Sequence, residues 1–204
     1  MSHIDVFADI MCPFTHVGLR RLREARSGSS RRASVRVRAW PLELINGEPI
    51  AAELAAREIA ALRATVAPEL FVGFDPATFA RTSIPAFGLA ASAYMVNDKI
   101  GEQVSLAIRD ALFEQGRDVS DPRVLVEIGE PFGLAPFPPA LALAAVHADW
   151  NRGRAHGVKG SPHFFIGDRD WFCPSLRIRH DADDALVVEI AGETMRDFYE
   201  AALA

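Results

Sequence analysis

Cysteine is nearly absent: the 204 residues hold two, Cys12 and Cys173, which lie 161 positions apart. So low a count excludes a disulfide framework and any zinc pattern built on paired cysteines. Lysine is almost missing as well, at 99 and 159 only, while arginine supplies the other basic residues. That bias suits a GC-rich bacterial genome. No run approaches the length of a membrane span, and "MSHIDVFADI" lacks a cationic stretch followed by an apolar one. The expectation is a cytoplasmic protein with free thiols and no membrane partner. The formal net charge of −5 leaves "SSRRASVRVR" as the one basic cluster, which alternation explains as the solvated face of a strand. Nucleic acid is therefore not an expected partner. No G-x-S-x-G, Walker loop, dinucleotide glycine fingerprint or H-E-x-x-H occurs, which argues against common hydrolase, nucleotide and zinc-protease chemistry.

Half of the residues are apolar and 24% are charged, ordinary for one globular domain, or one domain with a large insertion. His3 to Ile10 alternates and predicts a strand. Pro13 to Arg26 places Val17, Leu19, Leu22 and Ala25 at helical spacing, ending at "SGSS". Ser34 to Leu44 alternates again, with Pro41 marking a bend or strand end. Two strands joined by one helix predict a parallel crossover. From about 50 to 156 the pattern turns helical, from "AAELAAREIAALRATV" through "GEQVSLAIRDALFEQG" and the Asp-Pro start of "SDPRVLVEIGEPFG" to "PPALALAAVHADWNRGRAHG". After Gly160, "PHFFIG", the turn "DRD" and "WFCPSLRIR" predict an antiparallel hairpin. "LVVEIAG" fits a further strand, and "ETMRDFYEAAL" a closing helix.

Cys12 falls at the seam between the first strand and the first helix, in "DIMCPFTHVG". There it faces unpaired backbone N–H groups at the positive end of the helix dipole, and both favour thiolate, the nucleophilic form. Pro13 costs nothing at such a position. Thr15 is near enough to donate its hydroxyl to the sulfur, and His16, one turn on, would add to the stabilisation if protonated. The competing reading is an inert, buried cysteine acting as a small hydrophobe. Asp9 either orients a water or caps the helix, and capping is the simpler role. Phe14, Trp40 and Trp171 either line an apolar cleft or belong to the core. In "GVKGSPHFFIG" a proline just before a strand, after a small residue and two glycines, marks Pro162 as a candidate cis-proline.

Three segments, "DIMCPFTHVGLRRL", "WPLEL" and "AHGVKGSPHFFIG", resemble in order those of DsbA-type thioredoxin-fold proteins. The nearest branch is the FrnE-like one, related to 2-hydroxychromene-2-carboxylate isomerases and kappa-class glutathione transferases. The likeness extends over nearly the whole chain. It implies an α/β thioredoxin-like fold (βαβ…ββα) from residues 1–49 and 157–204, with 50–156 as an inserted helical subdomain. It also implies that Cys12 attacks, that Pro162 faces it in the cis form, and that the Ser161 backbone pairs with a bound thiol substrate as a short strand would. On this likeness Cys12, Thr15 and Pro162 are the expected catalytic group, and Pro13, Phe14, His16, Ser161 and Trp40 the expected substrate contacts. The partner is a small thiol or disulfide, with glutathione or mycothiol as co-substrate and no tightly bound cofactor. A homodimer is left open.

The chain departs from this pattern at Thr15, where a disulfide oxidoreductase of the family has its resolving cysteine. A 12–15 disulfide is impossible, and three options remain. Cys12 works as a monothiol released by a small thiol. Alternatively the site activates the thiol of a bound cofactor, although the isomerase and transferase branches commonly carry Ser at position 12. In the third option the protein only binds. Cys173, paired near Phe164 or Phe165 in the expected hairpin, reads as a buried strand cysteine rather than a resolving one. Cys12, His16 and His163 lack metal-ligand spacing, so no metal is expected.

Overall fold

The computed structural model describes residues 3–28 and 33–204, so Ser29 to Arg32 of the basic cluster lie outside the described residues. Strand β1 (His3–Ala8) runs parallel to β2 (Ser34–Ala39) in register, Ile4 opposite Val35 and Ala8 opposite Ala39. Helix α1 (Pro13–Ser27) connects them, opened by proline in its first turn. On the other side of β1 lies β3 (His163–Ile166), antiparallel, with β4 (Arg169–Phe172) completing the order β2-β1-β3-β4. Ile4, Val6 and Ala8 pack with Leu19 and Leu22 of α1, Val35, Val37, Phe164, Trp171, and Phe198 of the closing helix α8 (Gly192–Ala202).

Between β2 and β3 the chain is helical: a short α2 (Glu43–Asn46), then α3 (Ala52–Thr65), α4 (Ile84–Val96), α5 (Asp98–Phe113), α6 (Pro122–Gly129) and α7 (Pro139–Ala155). The side chains of Asn97 and Asp121 cap α5 and α6. α4 packs on α5 and α7, and α5 lies against β2. A second cluster joins Ile10, Met11, Cys12 and Phe14 to Ala55, Ile59 and Leu62 of α3 and to Val104, Ile108 and Leu112 of α5. The neck of α1 is thus buried under the helical block.

Five local expectations are corrected. β1 stops at Ala8 rather than Ile10, because the Asp9 N–H leaves the ladder for the Ser161 hydroxyl. β2 stops at Ala39 rather than running to Leu44; after Trp40 and Pro41 the chain turns into α2, since proline offers no ladder donor. Arg36 and Arg38 are not a solvated face. Arg36 pairs with Asp98, and Arg38 with Asp5 and Asp149. "WFCPSLRIR" is broken at Cys173, and its second half, β5 (Leu176–His180), pairs with β6 (Leu186–Ile190) in a separate two-stranded sheet. The β3–β4 turn is tighter than the sequence suggests. Ile166 pairs with Arg169 across Gly167 and Asp168, with Gly167 at φ 59°.

Candidate active site at the mouth of the first helix

Four residues, Asp9 to Cys12, carry the chain from β1 into α1. Asp9 is buried and holds three strands of backbone together. Its N–H donates to Ser161 Oγ at 2.8 Å, its Oδ1 accepts the Met11 N–H at 2.7 Å, and its Oδ2 accepts the Leu42 N–H at 2.5 Å. It is therefore a loop lock, and the helix cap position belongs to Cys12, in extended geometry with no side-chain cap bond.

The Cys12 Sγ donates to the Ser161 carbonyl at 3.4 Å, and the Ser161–Pro162 bond that follows is cis. Thr15 Oγ1 lies 2.8 Å from Ser161 Oγ. Cys12, Thr15, Ser161 and Pro162, named from segments some 150 positions apart, thus meet at one point. Gly18 faces the loop, where a Cβ would meet the Pro162 ring at an ordinary contact distance of 3.7 Å.

Electrostatics runs against the sequence expectation of a thiolate. Cys12 is only 3% exposed. Burial foremost, and then the charge of Glu58 on α3, pushes its thiol up to about 11. Hydrogen bonds from Thr15 and Ser161 act the other way and are outweighed. An apolar surrounding disfavours an anion more than the helix mouth favours one, so Cys12 rests as a thiol. His16 does not help. It is wholly buried between Phe71 and Phe113, with Nε2 2.7 Å from Glu114 Oε1. Burial lowers its pKa, so it stays neutral and turned toward Glu114 rather than toward a substrate.

Of the other sequence-named groups, Pro13 and Phe14 stay beside Cys12 and the rest lie elsewhere. Pro13 and Phe14 are buried in the first turn of α1. Trp40 stacks on Trp150 at 4.4 Å and meets Phe7 edge-on, and Gly153 makes room for its indole, so it is core rather than cleft wall. Trp171 belongs to the opposite cluster and donates to Asp197. His163 Nε2 lies 2.7 Å from Asp170, while its Nδ1 accepts the Lys159 N–H. Among the described residues no group of three His, Cys, Asp or Glu side chains could hold a metal ion. Cavities of about 210 Å³ (between β2, α4 and α7) and about 770 Å³ (beside α5 and the start of β2) both lie away from Cys12. Cys173 is not opposite Phe164 or Phe165. With His163 paired to Phe172, the Cys173 N–H donates to the Pro162 carbonyl at 2.9 Å.

Two charged residues at the site escaped the sequence reading, Glu58 and Arg109. Arg109 of α5 is completely buried and donates to the Asp9 carbonyl at 3.2 Å and to Ser105 at 2.7 and 3.0 Å; its Nε has no partner among the described residues. Burial lowers its pKa to about 10, still a cation at neutral pH, and it acts on the charges of Asp9 and Cys12. Burial raises Asp9 to about 6 and Glu58 to about 7. A signal existed for both. Glu58 shares a helical stripe with Ala55, Ile59 and Leu62, and Arg109 one with Ser105, Ile108 and Leu112. A charge on an apolar stripe points into the protein.

Comparison with known proteins agrees with this architecture. The probable DsbA oxidoreductase of Streptomyces coelicolor superposes with a TM-score of 0.65 at 20% identity, over 98% of this chain and 90% of that one. The cytosolic disulfide reductase DsbM of Pseudomonas aeruginosa, solved with GSH, gives 0.61 at 17% identity, over 98% and 96%. A 2-hydroxychromene-2-carboxylate isomerase gives 0.57 at 13%, over 83% and 87%. At these identities the likeness speaks for the fold. Among curated proteins none matches in sequence. The DSBA-like thioredoxin domain, by contrast, matches residues 3–180, a span that runs from β1 through the cysteine at the helix mouth and the proline loop to the end of β5, and the chain belongs to that family.

Proposed function

We propose that this chain is a DsbA-like thiol oxidoreductase that uses Cys12 alone to exchange with small disulfides in the cytoplasm. The observation that carries this reading is the Cys12 sulfur at the helix mouth, 3.4 Å from the Ser161 carbonyl, with Thr15 where a neighbouring thiol would stand. Cys12 thiolate attacks a disulfide RSSR′, forms Cys12–S–S–R and expels R′S⁻. A second small thiolate, from glutathione or mycothiol, then attacks the R sulfur and returns Cys12. The Ser161 backbone lies alongside, as an edge for the incoming sulfur compound. No helix is long and apolar enough to cross a membrane among the described residues, and the DsbM neighbour is a cytosolic protein.

The raised pKa sets the expected pace. A thiol near 11 instead of its ordinary 9 is about 100-fold less ionised at neutral pH. It regains roughly eightfold through the greater nucleophilicity of a more basic thiolate, leaving exchange about tenfold slower. Burial of a neutral sulfur also favours a second reading, in which Cys12 stays protonated and donates to the sulfur of a bound thiol cofactor, in transferase or isomerase chemistry. Incubation of the reduced protein with glutathione disulfide or mycothiol disulfide, followed by mass spectrometry, tests the first reading. A mixed disulfide on Cys12 that free thiol removes supports it, and Cys12→Ser abolishes exchange. Full activity in Cys12→Ser toward a thiol-dependent electrophile would replace it with the second, since a serine hydroxyl can donate as a thiol does.

A further inference from the structure

The chain has two thiols, and the fold brings both cysteines to neighbouring carbonyls of the proline loop. Cys12 Sγ reaches the Ser161 carbonyl at 3.4 Å, and the Cys173 N–H reaches the Pro162 carbonyl, the next along, at 2.9 Å. Trp171, two residues before Cys173, packs in the cluster on the α8 side. Cys173 does not continue that alternation. It takes a left-handed φ of 45°, a conformation seldom adopted by a side-chain-bearing residue, and its side chain joins the cluster that contains Cys12. Burial and, after it, the charge of Cys12 act on the Cys173 thiol. Both thiols are buried, 3% and 6% exposed.

We propose that Cys173 is a second catalytic thiol, which attacks the mixed disulfide on Cys12 from across the Ser161–Pro162 peptide and takes the place of the resolving cysteine that Thr15 excludes. This rests on Cys12 being the attacking thiol, and it replaces only the second step of the single-cysteine reading, release by a small thiol, with release by Cys173. In the step, the Cys173 thiolate bonds to the Cys12 sulfur, the Cys12–S–S–R bond breaks, and RS⁻ leaves, taking up the proton that Cys173 gave up. The product is a Cys12–Cys173 disulfide. Two equivalents of a small thiol, oxidised to their own disulfide, return both cysteines to the reduced form. Burial, and next the charge of Cys12, pushes the Cys173 thiol up to about 12; a mixed disulfide on Cys12 carries no such charge at any pH. Bond formation requires the α-carbons to come within about 7 Å, and the yield of cross-link reads out whether they do.

The test treats the reduced protein with glutathione disulfide, traps free thiols by acid and alkylation, and maps tryptic peptides by mass spectrometry. The proposal expects a cross-linked pair of peptides containing Cys12 and Cys173 in the wild type, with little lasting glutathione adduct. It expects at least a tenfold higher yield of the Cys12–glutathione adduct in Cys173→Ser and in Cys173→Ala, each compared with wild type at matched melting temperature. The same adduct yield in wild type and both variants, with no cross-link, overturns the role of Cys173 and leaves the monothiol reading standing. No adduct on Cys12 in any of the three proteins overturns the monothiol reading, and this proposal with it.

Discussion

Cys12 combines two features that ordinarily oppose each other, a helix-mouth position that favours an anion and a dry surrounding that forbids one. Burial wins, and Glu58 adds to it. The rate of iodoacetamide capture should therefore keep rising with pH toward a midpoint near 11. Glu58→Gln should move that midpoint down, because it removes a nearby negative charge. Midpoints near 9 in both proteins would show a sulfur that solvent already reaches. What was legible here was local. Cys12 before Pro13, and Pro162 after two glycines and a serine, advertise themselves within ten residues. Their electrostatic partners do not, since Glu58 lies 46 positions from Cys12 and Arg109 97. Only the helical stripes that those two residues interrupt betray them.

At the scale of elements, periodicity located the strands and helices but not where they stop. β1 ends because the Asp9 amide finds the Ser161 hydroxyl, 152 positions away, and no alternation of side chains encodes such a competitor. For the same reason Asp9 reads as a helix cap in the sequence and proves to be a lock on Met11, Leu42 and the proline loop. Cys173 was misplaced by a turn read one residue too late, and a small slip in register changes which residue faces the proline. Asp9→Asn keeps the size and shape of the lock. It replaces one accepting oxygen with an N–H₂ group facing an N–H donor, and it removes one of the charges that act on buried Arg109. A buried N–H left without its acceptor costs about 1–3 kcal/mol, so urea denaturation should show a loss of about that size. A loss below about 0.5 kcal/mol would mean that water or a shift of α5 replaces what Asp9 supplies.

At the scale of the whole molecule, the sheet positions Cys12 and Pro162 while the helical block supplies Glu58, Arg109 and Glu114, the charges that act on the neck of α1. This division makes stability depend on pH in a way the isolated motifs do not suggest. Glu58 has its pKa raised from the ordinary 4.5 to about 7 by burial, with Arg57 opposing and Cys12 the other titratable group it acts on. Between those two values the folded chain holds a proton that the unfolded chain has released. Its contribution is therefore fully present below about 4.5 and lost as pH rises through about 7. His16 and His163 work in the opposite sense, since their lowered values make the folded chain bind fewer protons and add stability as pH rises toward 6.5. The histidines are common to wild type and Glu58→Gln, so they cancel in the difference between the two. Melting temperatures of both proteins from pH 4.5 to 8 should diverge in favour of the glutamine variant as pH rises. After allowance for the solvent-facing side of Glu58, the divergence should reach roughly 2–4 °C, the shift that about 1 kcal/mol produces in a domain of this size. A difference that stays constant with pH would place Glu58 in water, and would take from Cys12 the neighbour that does most, after burial, to keep it protonated.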